Sequence, residues 1–394
     1  MDAKTASWKS TGTYVDEVPP PGANIVTCMW IFRGVDFFQT FFPAPKMTTL
    51  RVLLHVAAQR NYKLHSLDFS TAFLQGSLHE EILLRRPPGF TGSFPAVTQW
   101  SLRRPVHSLC QAPREWHDPL RTTLAALGFA PSTADPSLLL PTDTTLPPLY
   151  ILVYVDDLVF ATADTEALTH VKSELQKRHT CTDQGELTSY LGLRITRDRA
   201  QCTITLTQSH MVQQVFQRFG FTYSSPQSTP LPTGHSLSAP PSDESSTGMG
   251  LVLGGRAQVV LTGHADASWV DDLATQRSSQ GYTFSLGSGS ELRWLTYVLT
   301  DLGEAPRSPP VLYIDNKAML ALCQEHRLEH ITKHIAMRYF LVRELQQHGQ
   351  LHLAYVASQA NTADVFTKAL QPSDHQRFCT VLGLIPIVPH LLTS

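Results

Sequence analysis

Cysteine is scarce in this chain and follows no pattern. The six cysteines among 394 residues include no Cys-x-x-Cys pair, and no cluster of histidines accompanies them. A disulfide-stapled secreted scaffold and a zinc centre with cysteine ligands are therefore excluded, and we expect free thiols in a reducing compartment. The cysteines are at positions 28, 110, 181, 202, 323 and 379.

Long apolar runs are missing as well. No stretch reaches 18 apolar residues, so the sequence predicts no membrane span. Residues 1–7 lack the basic start and apolar core of a secretion signal. We therefore expect an intracellular chain, cytoplasmic or nuclear, with no membrane partner. A hydrophobic content of 42% is ample for packed cores, and the length suits about two to three domains.

There is no excess of basic charge. Lysine and arginine number 31 against 33 aspartates and glutamates, which gives a net charge of −2 at pH 7. Proteins that bind nucleic acid usually carry a basic footprint, so this balance argues mildly against tight binding. We interpret the short basic pairs at 103–104 and 177–178 as solvated faces.

Two adjacent carboxylates are the most informative feature that is present. Asp156 and Asp157 interrupt the apolar, strand-forming run 149–161. This pattern predicts a β-hairpin with strands at 149–155 and 158–162 and both acids at the turn. An ordinary surface turn is the alternative. The flanks are too apolar for an exposed hairpin, and charges beside a core need a partner or a metal, so we favour a metal site.

A third carboxylate, Asp68, ends a stretch whose partial alternation predicts another strand. Oxygen ligands without histidine or cysteine nearby suit Mg²⁺ or Mn²⁺, and a pair of such ions can promote phosphoryl transfer. Phe73 follows five positions later, where its ring could pack against a nucleotide sugar. A core phenylalanine is the more common explanation of that spacing.

These residues and their surroundings resemble the reverse transcriptase of Ty1/copia-type retrotransposons. Asp68, Asp156 and Asp157 lie in two of the segments that resemble the polymerase. Further segments resemble an attached ribonuclease H domain, and the order and spacing of all segments agree with the family over nearly the whole chain. The similar polymerase segments are 67–76, 86–90, 108–116, 134–137, 154–157 and 185–193. The similar ribonuclease H segments are 266–269, 277–282, 313–316, 332–335 and 363–368.

The resemblance implies roles for individual residues. Asp68 and Asp156 would bind two metal ions, with Asp157 supporting them; Phe73 would act as a steric gate against the wrong sugar, and Gln111 would touch the nucleotide. The partners implied are an RNA template, a DNA primer and deoxynucleoside triphosphates. Primer-positioning residues would be Tyr190, Leu191, Gly192 and Leu193. Metal-binding carboxylates of the second domain would be Asp266, Asp315 and Asp364.

The sequence departs from the family pattern at three joins. Residues 30–33 run directly into 34–38, without the basic fingers hairpin whose lysine and arginine hold the triphosphate. The Pro/Ser-rich stretch 224–250 leads directly to 251–255 and omits the connection region. Residues 287–290 join 291–294 and remove a strand and the start of the helix that carries the family's catalytic glutamate.

The third join predicts that ribonuclease H activity is absent. Three aspartates without a glutamate would hold a second ion with fewer charges. Glu291 begins the remaining helix, but its register does not suit the missing ligand, and a helix-start glutamate stabilised by the helix dipole is the better explanation.

Two function classes follow. The first is an RNA-directed DNA polymerase with two-metal nucleotidyl transfer, impaired by the first join because transfer depends on positioning and charge neutralisation. The second is a non-catalytic relic or co-opted nucleic-acid-binding protein. An unrelated two-metal nuclease or nucleotidyltransferase would share the acids but would not explain the order of the other motifs.

The fold class expected is mixed α/β. The predicted domains are a flexible segment at 1–24, a palm-and-fingers domain with an antiparallel sheet at 25–223, a linker at 224–250, and a truncated ribonuclease H-like α/β domain at 251–394. Apolar residues at helical spacing predict helices at 47–59, 165–178 and 208–219, the last with Met211, Val212 and Val215 facing inward. A further helix is predicted at 291–302, and strands at 203–207, 257–263 and 311–314.

Overall fold

The computed structural model describes most of the chain. The described residues are 12–21, 45–85, 99–106, 111–219, 249–256, 260–267, 280–285, 289–324 and 342–386, with positions 8, 23, 25–26, 109 and 229. The predicted join near 30–38, the similar segments at 86–90 and 332–335, and residues 268–269 and 277–279 of two other similar segments lie outside them.

Seven longer helices are found among the described residues, together with helical residues 342–347. They are α1 (Met47–Gln59), α2 (Ala112–Ala126), α3 (Thr165–Arg178), α4 (Ser209–Phe219), α5 (Gly289–Asp301), α6 (Lys317–Gln324) and α7 (Pro372–Val381).

The strands form four sheets. In chain order the strands are β1 (Tyr14–Glu17), β2 (Ile25–Val26), β3 (Lys63–Phe69), β4 (Ile82–Leu84), β5 (Gln99–Leu102), β6 (Phe129–Pro131), β7 (Leu138–Pro141), β8 (Leu149–Tyr154), β9 (Asp157–Thr162), β10 (Cys181–Glu186), β11 (Ser189–Tyr190), β12 (Leu193–Asp198), β13 (Thr203–Thr207), β14 (Met249–Gly254), β15 (Thr262–Ala267), β16 (Gln280–Ser285), β17 (Val311–Ile314), β18 (His352–Tyr355) and β19 (Leu384–Pro386).

The chain divides into two compact units. The first comprises residues 1–47 and 63–187, and the second comprises 48–62 and 188–394. Strand β14 begins at Met249, so the last residues of the predicted linker are part of a sheet. The predicted domain boundaries themselves stay predictions.

The first unit contains an antiparallel six-stranded sheet in the order β10-β3-β9-β8-β7-β6. Its apolar face packs on α2 and α3 through a buried cluster that includes Phe69, Trp116, Leu120, Phe160 and Leu175. A smaller four-stranded sheet, β1-β5-β4-β2, encloses a second cluster around the fully buried Trp100. The predicted palm-like antiparallel sheet is confirmed.

Part of the N-terminal segment predicted as flexible forms a strand in this smaller sheet. Strand β1 pairs with β5 so that Tyr14 lies opposite Leu102. The Tyr14 ring stacks on the Trp100 indole with a centroid distance of 4.2 Å. The aromatic contact supplies apolar burial that the proline-rich composition of the segment did not suggest.

The second unit contains two sheets. One is antiparallel, in the order β11-β12-β13-β14-β19, and the other has the order β16-β15-β17-β18. In the latter, β17 is parallel to both β15 and β18, whereas β16 is antiparallel to β15. This mixed sheet confirms the predicted α/β character of the C-terminal part.

Helix predictions from apolar spacing are mostly confirmed, with one correction. Helix α1 has the predicted bounds and buries Leu50, Leu53 and Leu54. In α4, by contrast, Met211 is 52% and Val215 43% exposed, and no residue is buried. The prediction that these side chains face inward was therefore wrong for the described residues.

A strand prediction in the second unit was also shifted. We predicted it at 257–263, and it occupies Thr262–Ala267. The observed register places Asp266 inside the strand rather than after it.

Candidate metal-binding sites

The predicted hairpin places the first carboxylates at one end of the six-stranded sheet. Strand β8 ends at Tyr154 and β9 begins at Asp157, directly opposite it. The turn therefore consists of Val155 and Asp156 alone. The hairpin prediction is confirmed, but Asp157 belongs to the strand because its backbone pairs with both neighbouring strands.

Strand β3 brings the third acid to the same place. Asp68 lies directly opposite Asp157 in the β3–β9 pairing, and residues opposite each other in an antiparallel pair project to the same face. Leu67 and Phe69, the neighbours of Asp68, are buried in the core. Alternation along the strand therefore directs Asp68 away from that core.

The turn is held on two sides by hydrogen bonds to its carbonyl oxygens. The Trp116 indole Nε1 donates to the Val155 oxygen at 2.7 Å, and the Phe69 amide donates to the Asp156 oxygen at 2.8 Å. Val155 has φ of +52°, a conformation that costs energy in a β-branched residue. The fixed turn presents Asp156 at an exposed position.

The carboxylates perturb one another. Burial, and then the charges of Asp156 and Asp68, raise the pKa of Asp157 to about 6. Burial, followed by the Asp156 charge, also raises the pKa of Asp68. Within the described residues no lysine or arginine forms an ion pair with these three acids. Uncompensated acids on one side of a sheet are a suitable ligand set for a hard divalent cation.

The predicted nucleotide-binding residues lie in the same unit. Phe73 is half-buried in a short 3-10 helix, Ala72–Gln75, and packs against the core cluster, as the alternative explanation of its spacing proposed. Gln111 precedes α2 and is 8% exposed, and its side-chain amide donates to Glu80 at 3.4 Å. Contact of either residue with a nucleotide stays a prediction.

The predicted primer-positioning residues form a tight hairpin in the second unit. Tyr190 lies opposite Leu193, and the two turn residues between them, Leu191 and Gly192, both have positive φ, at 49° and 77°. A leucine in this conformation is unusual, and it is 39% exposed at the tip. Its role in holding a primer stays a prediction.

A second carboxylate cluster is found in the mixed sheet. Asp266 lies in β15, Asp315 follows β17, and Asp364 lies in the 3-10 helix Thr362–Phe366. One oxygen of each acid lies within 4.8 Å of the others. Among the described residues no other group of acids, histidines and cysteines is gathered as closely. The three residues that the sequence assigned to one site are thus brought together.

A lysine contacts all three acids of this second cluster. The Lys368 ammonium lies 2.9 Å from Asp364, 3.5 Å from Asp266 and 3.8 Å from Asp315. Burial raises the pKa of Asp364, although Lys368 opposes that shift. Although burial opposes it, the hydrogen bond to Asp364 and the acidic charges raise the pKa of Lys368.

Glu291 lies outside the second cluster. It occupies the first turn of α5 and is not among the acids whose oxygens lie within 4.8 Å of one another. That position agrees with the helix-dipole explanation.

Two structural features received no role in the sequence analysis. Lys368 was part of a similar segment but received no role, although its position four residues after Asp364 places the two side chains within reach. The second feature is a cleft of about 600 Å³ in the first unit, lined in part by Arg104, Lys177 and Arg178. These residues come from the two basic pairs that we interpreted as solvated faces.

The fold and the two carboxylate clusters define a two-unit α/β protein with ligand sets suited to divalent cations. Residues 24–233 match the family model described as reverse transcriptase (RNA-dependent DNA polymerase). Because this match spans more than half of the chain, the chain belongs to that family. The family implies use of a divalent metal.

Curated relatives support the Ty1/copia resemblance. The Pol polyprotein of transposon RE2 from Arabidopsis thaliana is 27% identical, with 94% of this chain and 33% of the relative covered. That of transposon TNT 1-94 from Nicotiana tabacum is 24% identical, covering 97% and 37%. The Ty5-1 protein YCL074W of Saccharomyces cerevisiae is 35% identical over 129 residues, covering 33% and 42%.

The chain aligns with only part of each of these relatives. The chain spans about a third of the length of the first two relatives. The alignment with RE2 runs over 479 positions, more than the 394 residues of the chain. The relative therefore contains segments without counterpart here, in line with the joins predicted from the sequence.

Solved structures give a weaker similarity. A foamy viral protease-reverse transcriptase in complex with double-stranded DNA is 12% identical, with a TM-score of 0.40, and the match covers 91% of this chain and 82% of that one. The same protein with an RNA/DNA hybrid is 13% identical, with a TM-score of 0.37, covering 80% and 46%.

None of the described helices combines the length and apolar character needed to cross a bilayer.

Proposed function

We propose that residues 25–223 form an RNA-directed DNA polymerase of reduced efficiency, which extends a DNA primer on an RNA template. The observation that carries the proposal is the register of β3 and β9. It sets Asp68 opposite Asp157 beside the turn that presents Asp156. Membership of the reverse transcriptase family is consistent with this assignment.

Asp68, Asp156 and Asp157 would hold magnesium or manganese ions. When bound, such ions activate the attacking hydroxyl and neutralise charge on the leaving oxygen. The chain's own contribution is positional. Trp116 and the Phe69 amide fix the turn carbonyls, so Asp156 is held in place before substrate arrives, and preorganisation of this kind is a large part of the rate of phosphoryl transfer.

Phe73 would act as a steric gate against the wrong sugar of a deoxynucleoside triphosphate, Gln111 would touch the nucleotide, and the Tyr190–Leu193 turn would hold the primer end. The missing basic fingers hairpin would leave the triphosphate poorly held, which is why we propose low efficiency. Residues 251–394 would be an inactive ribonuclease H-like tail.

A primer-extension assay tests the proposal. We expect Mg²⁺-dependent incorporation on an RNA template that is abolished by Asp156→Asn. The matched control is Asp118→Asn, because Asp118 is exposed on α2 and pairs only with neighbouring Arg114 and His117 among described residues. If the Asp156→Asn variant still extended the primer, the assignment of Asp156 to the polymerase site would be wrong.

The second candidate function is a non-catalytic relic that retains nucleic-acid binding. The observation that favours it is the set of segments in the relatives without counterpart in this chain. Binding of a primer–template without incorporation at any metal concentration would support the relic over the polymerase.

A further inference from the structure

The two carboxylate clusters differ in one respect that bears on metal binding. Asp68, Asp156 and Asp157 have no cationic side chain against them among the described residues, whereas Asp266, Asp315 and Asp364 surround one ammonium. The second cluster is also the more tightly gathered of the two. The ammonium accounts for that closeness, because it offsets the repulsion between the acids.

We propose that Lys368 is an internal counter-ion that occupies the second carboxylate cluster in place of a divalent metal ion. This inference goes beyond the polymerase assignment and does not depend on it. It also gives a reason for an inactive tail that is separate from the missing glutamate.

The charge of Lys368 suits the site. Its ammonium is a compact positive charge and forms ion pairs with all three carboxylates, at 2.9, 3.5 and 3.8 Å. The turn that follows the 3-10 helix explains the position, since Lys368 follows Asp364 by four residues and its amide donates to the Asp364 carbonyl at 2.9 Å. The lysine is thus held at the cluster by the backbone as well as by charge.

Hydroxyl groups donate to two of the carboxylate oxygens that the Lys368 ammonium also faces. The Thr367 hydroxyl donates to Asp266 Oδ2, and the Ser358 hydroxyl donates to Asp315 Oδ2 at 3.0 Å. Two of the oxygens that a metal ion would use are therefore already hydrogen-bonded. A metal would have to displace these donors in addition to the ammonium.

The residues would still fit a divalent ion if the ammonium were absent. Three aspartate oxygens within 4.8 Å of one another suit an ion that prefers oxygen ligands. The Lys368 side chain is 40% exposed, so the proposal makes a specific claim: the lysine stays in the cluster in solution rather than turning outward.

Affinity cleavage of the full-length chain tests this claim at each site separately. Fe²⁺ added with ascorbate and hydrogen peroxide produces hydroxyl radicals at the bound ion, and mass spectrometry locates the backbone breaks. In the wild type we expect cleavage near residues 68 and 156 and little near 266, 315 and 364. In Lys368→Met we expect cleavage near the second cluster to rise at least about fivefold, the factor for one charge at about 4 Å in water.

Matched variants isolate the effect of the contact. Lys368→Arg keeps the charge and should keep the metal out. Lys317→Met removes another lysine of the same unit, whose ammonium lies 4.9 Å from the centre of the Tyr355 ring, and should leave the pattern unchanged. Lys368→Gln, which can still donate to Asp364, replaces Lys368→Met if that protein fails to fold.

Three results would overturn the proposal. Wild-type cleavage at the second cluster as strong as in Lys368→Met would mean that the lysine yields to metal. An equal increase of cleavage in Lys317→Met would mean that losing any positive charge of the unit has this effect, and not losing the contact of Lys368 with the acids. Absence of cleavage in every Lys368 variant would mean that the acids do not bind metal even without the lysine. Loss of cleavage near 68 and 156 alone would count against the polymerase site and leave this inference intact.

Discussion

At the scale of single residues, the carboxyl of Asp157 links stability to pH. In the folded protein its pKa is raised to about 6 from an ordinary value of 3.8. The folded state therefore binds this proton more tightly than the unfolded chain does, and its stability falls as pH rises between these two values. The electrostatic cost is absent below about pH 4 and complete above about pH 6.

Replacing the Asp157 carboxylate with a neutral amide should remove the loss of folding stability that its ionisation causes. We expect Asp157→Asn, measured by urea unfolding in EDTA, to match wild type near pH 4. At pH 7.5 it should be more stable by about 1–2 kcal/mol, after allowance for partial solvent screening. Comparison with wild type at each pH cancels the contributions of other titrating groups.

Magnesium provides the control for that measurement. Ions bound to the three acids would favour their ionised forms and stabilise the wild type more than Asp157→Asn, so the difference at pH 7.5 should shrink or change sign. A variant advantage that is the same at pH 4 and pH 7.5 would contradict the assigned coupling between Asp157, Asp156 and Asp68.

At the scale of helices and strands, local signals were read correctly where the cause is local. Helix α3 begins where predicted because the Asp164 carboxylate accepts from the amides of Glu166 and Ala167 at 2.9 and 3.1 Å, a capping pattern visible in the sequence. Leu168, Val171 and Leu175 are then buried at helical spacing. Nothing outside the helix and its cap was needed for this prediction.

Removing the cap should weaken this helix measurably. We expect Asp164→Ala to lower the free energy of unfolding by about 1 kcal/mol, because two amides lose their acceptor. Asp164→Asn retains a side-chain oxygen, so its free energy of unfolding should fall by only a small part of that amount. Urea denaturation followed by circular dichroism measures both. Equal losses in the two variants would show that charge, rather than the hydrogen-bonded cap, supports the helix.

Predictions that depended on distant partners succeeded less often. The spacing of Met211 and Val215 predicted that both side chains face inward, but spacing does not say what packs against a helix, and both side chains are exposed. The opposition of Asp68 and Asp157 depends on pairing between strands that are far apart in the sequence. The resemblance to a known family suggested that meeting, whereas periodicity alone did not. Lys368 was missed because its role emerges only when three separate segments meet.

At the scale of the whole molecule, the near-neutral net charge conceals local concentration. The cleft in the first unit gathers Arg104 from after β5 with Lys177 and Arg178 from the end of α3. Glu174 offsets part of this charge, since its carboxylate lies 2.7 Å from Lys177 and 3.6 Å from Arg178. The surplus of basic charge in the cleft suits the phosphate backbone of a nucleic acid.

One cleft-lining side chain, that of Gln75, is hydrogen-bonded to two separate segments of the chain. The Gln75 amide donates to the carbonyls of Ser70 and Thr180 at 3.0 and 2.9 Å, and its oxygen accepts from the Thr180 amide. The cleft also includes Cys181, which lies opposite Phe69, the residue after Asp68. A strand of nucleic acid bound in the cleft would therefore pass near the end of β3 that carries the proposed catalytic acid.

Salt dependence of binding tests whether nucleic acid occupies this cleft. We expect the double variant Arg104→Ala/Lys177→Ala to bind an RNA–DNA primer–template more weakly. Its logarithmic salt slope should be smaller by about one for each phosphate that the variant no longer neutralises. The charge-matched control is Lys63→Ala/Arg121→Ala, which removes one lysine and one arginine of the same unit that do not line the cleft. Fluorescence anisotropy titrations at several salt concentrations measure both. Equal slopes in the two double variants would mean that any surface cation contributes alike, and the chain would then bind nucleic acid without using the cleft.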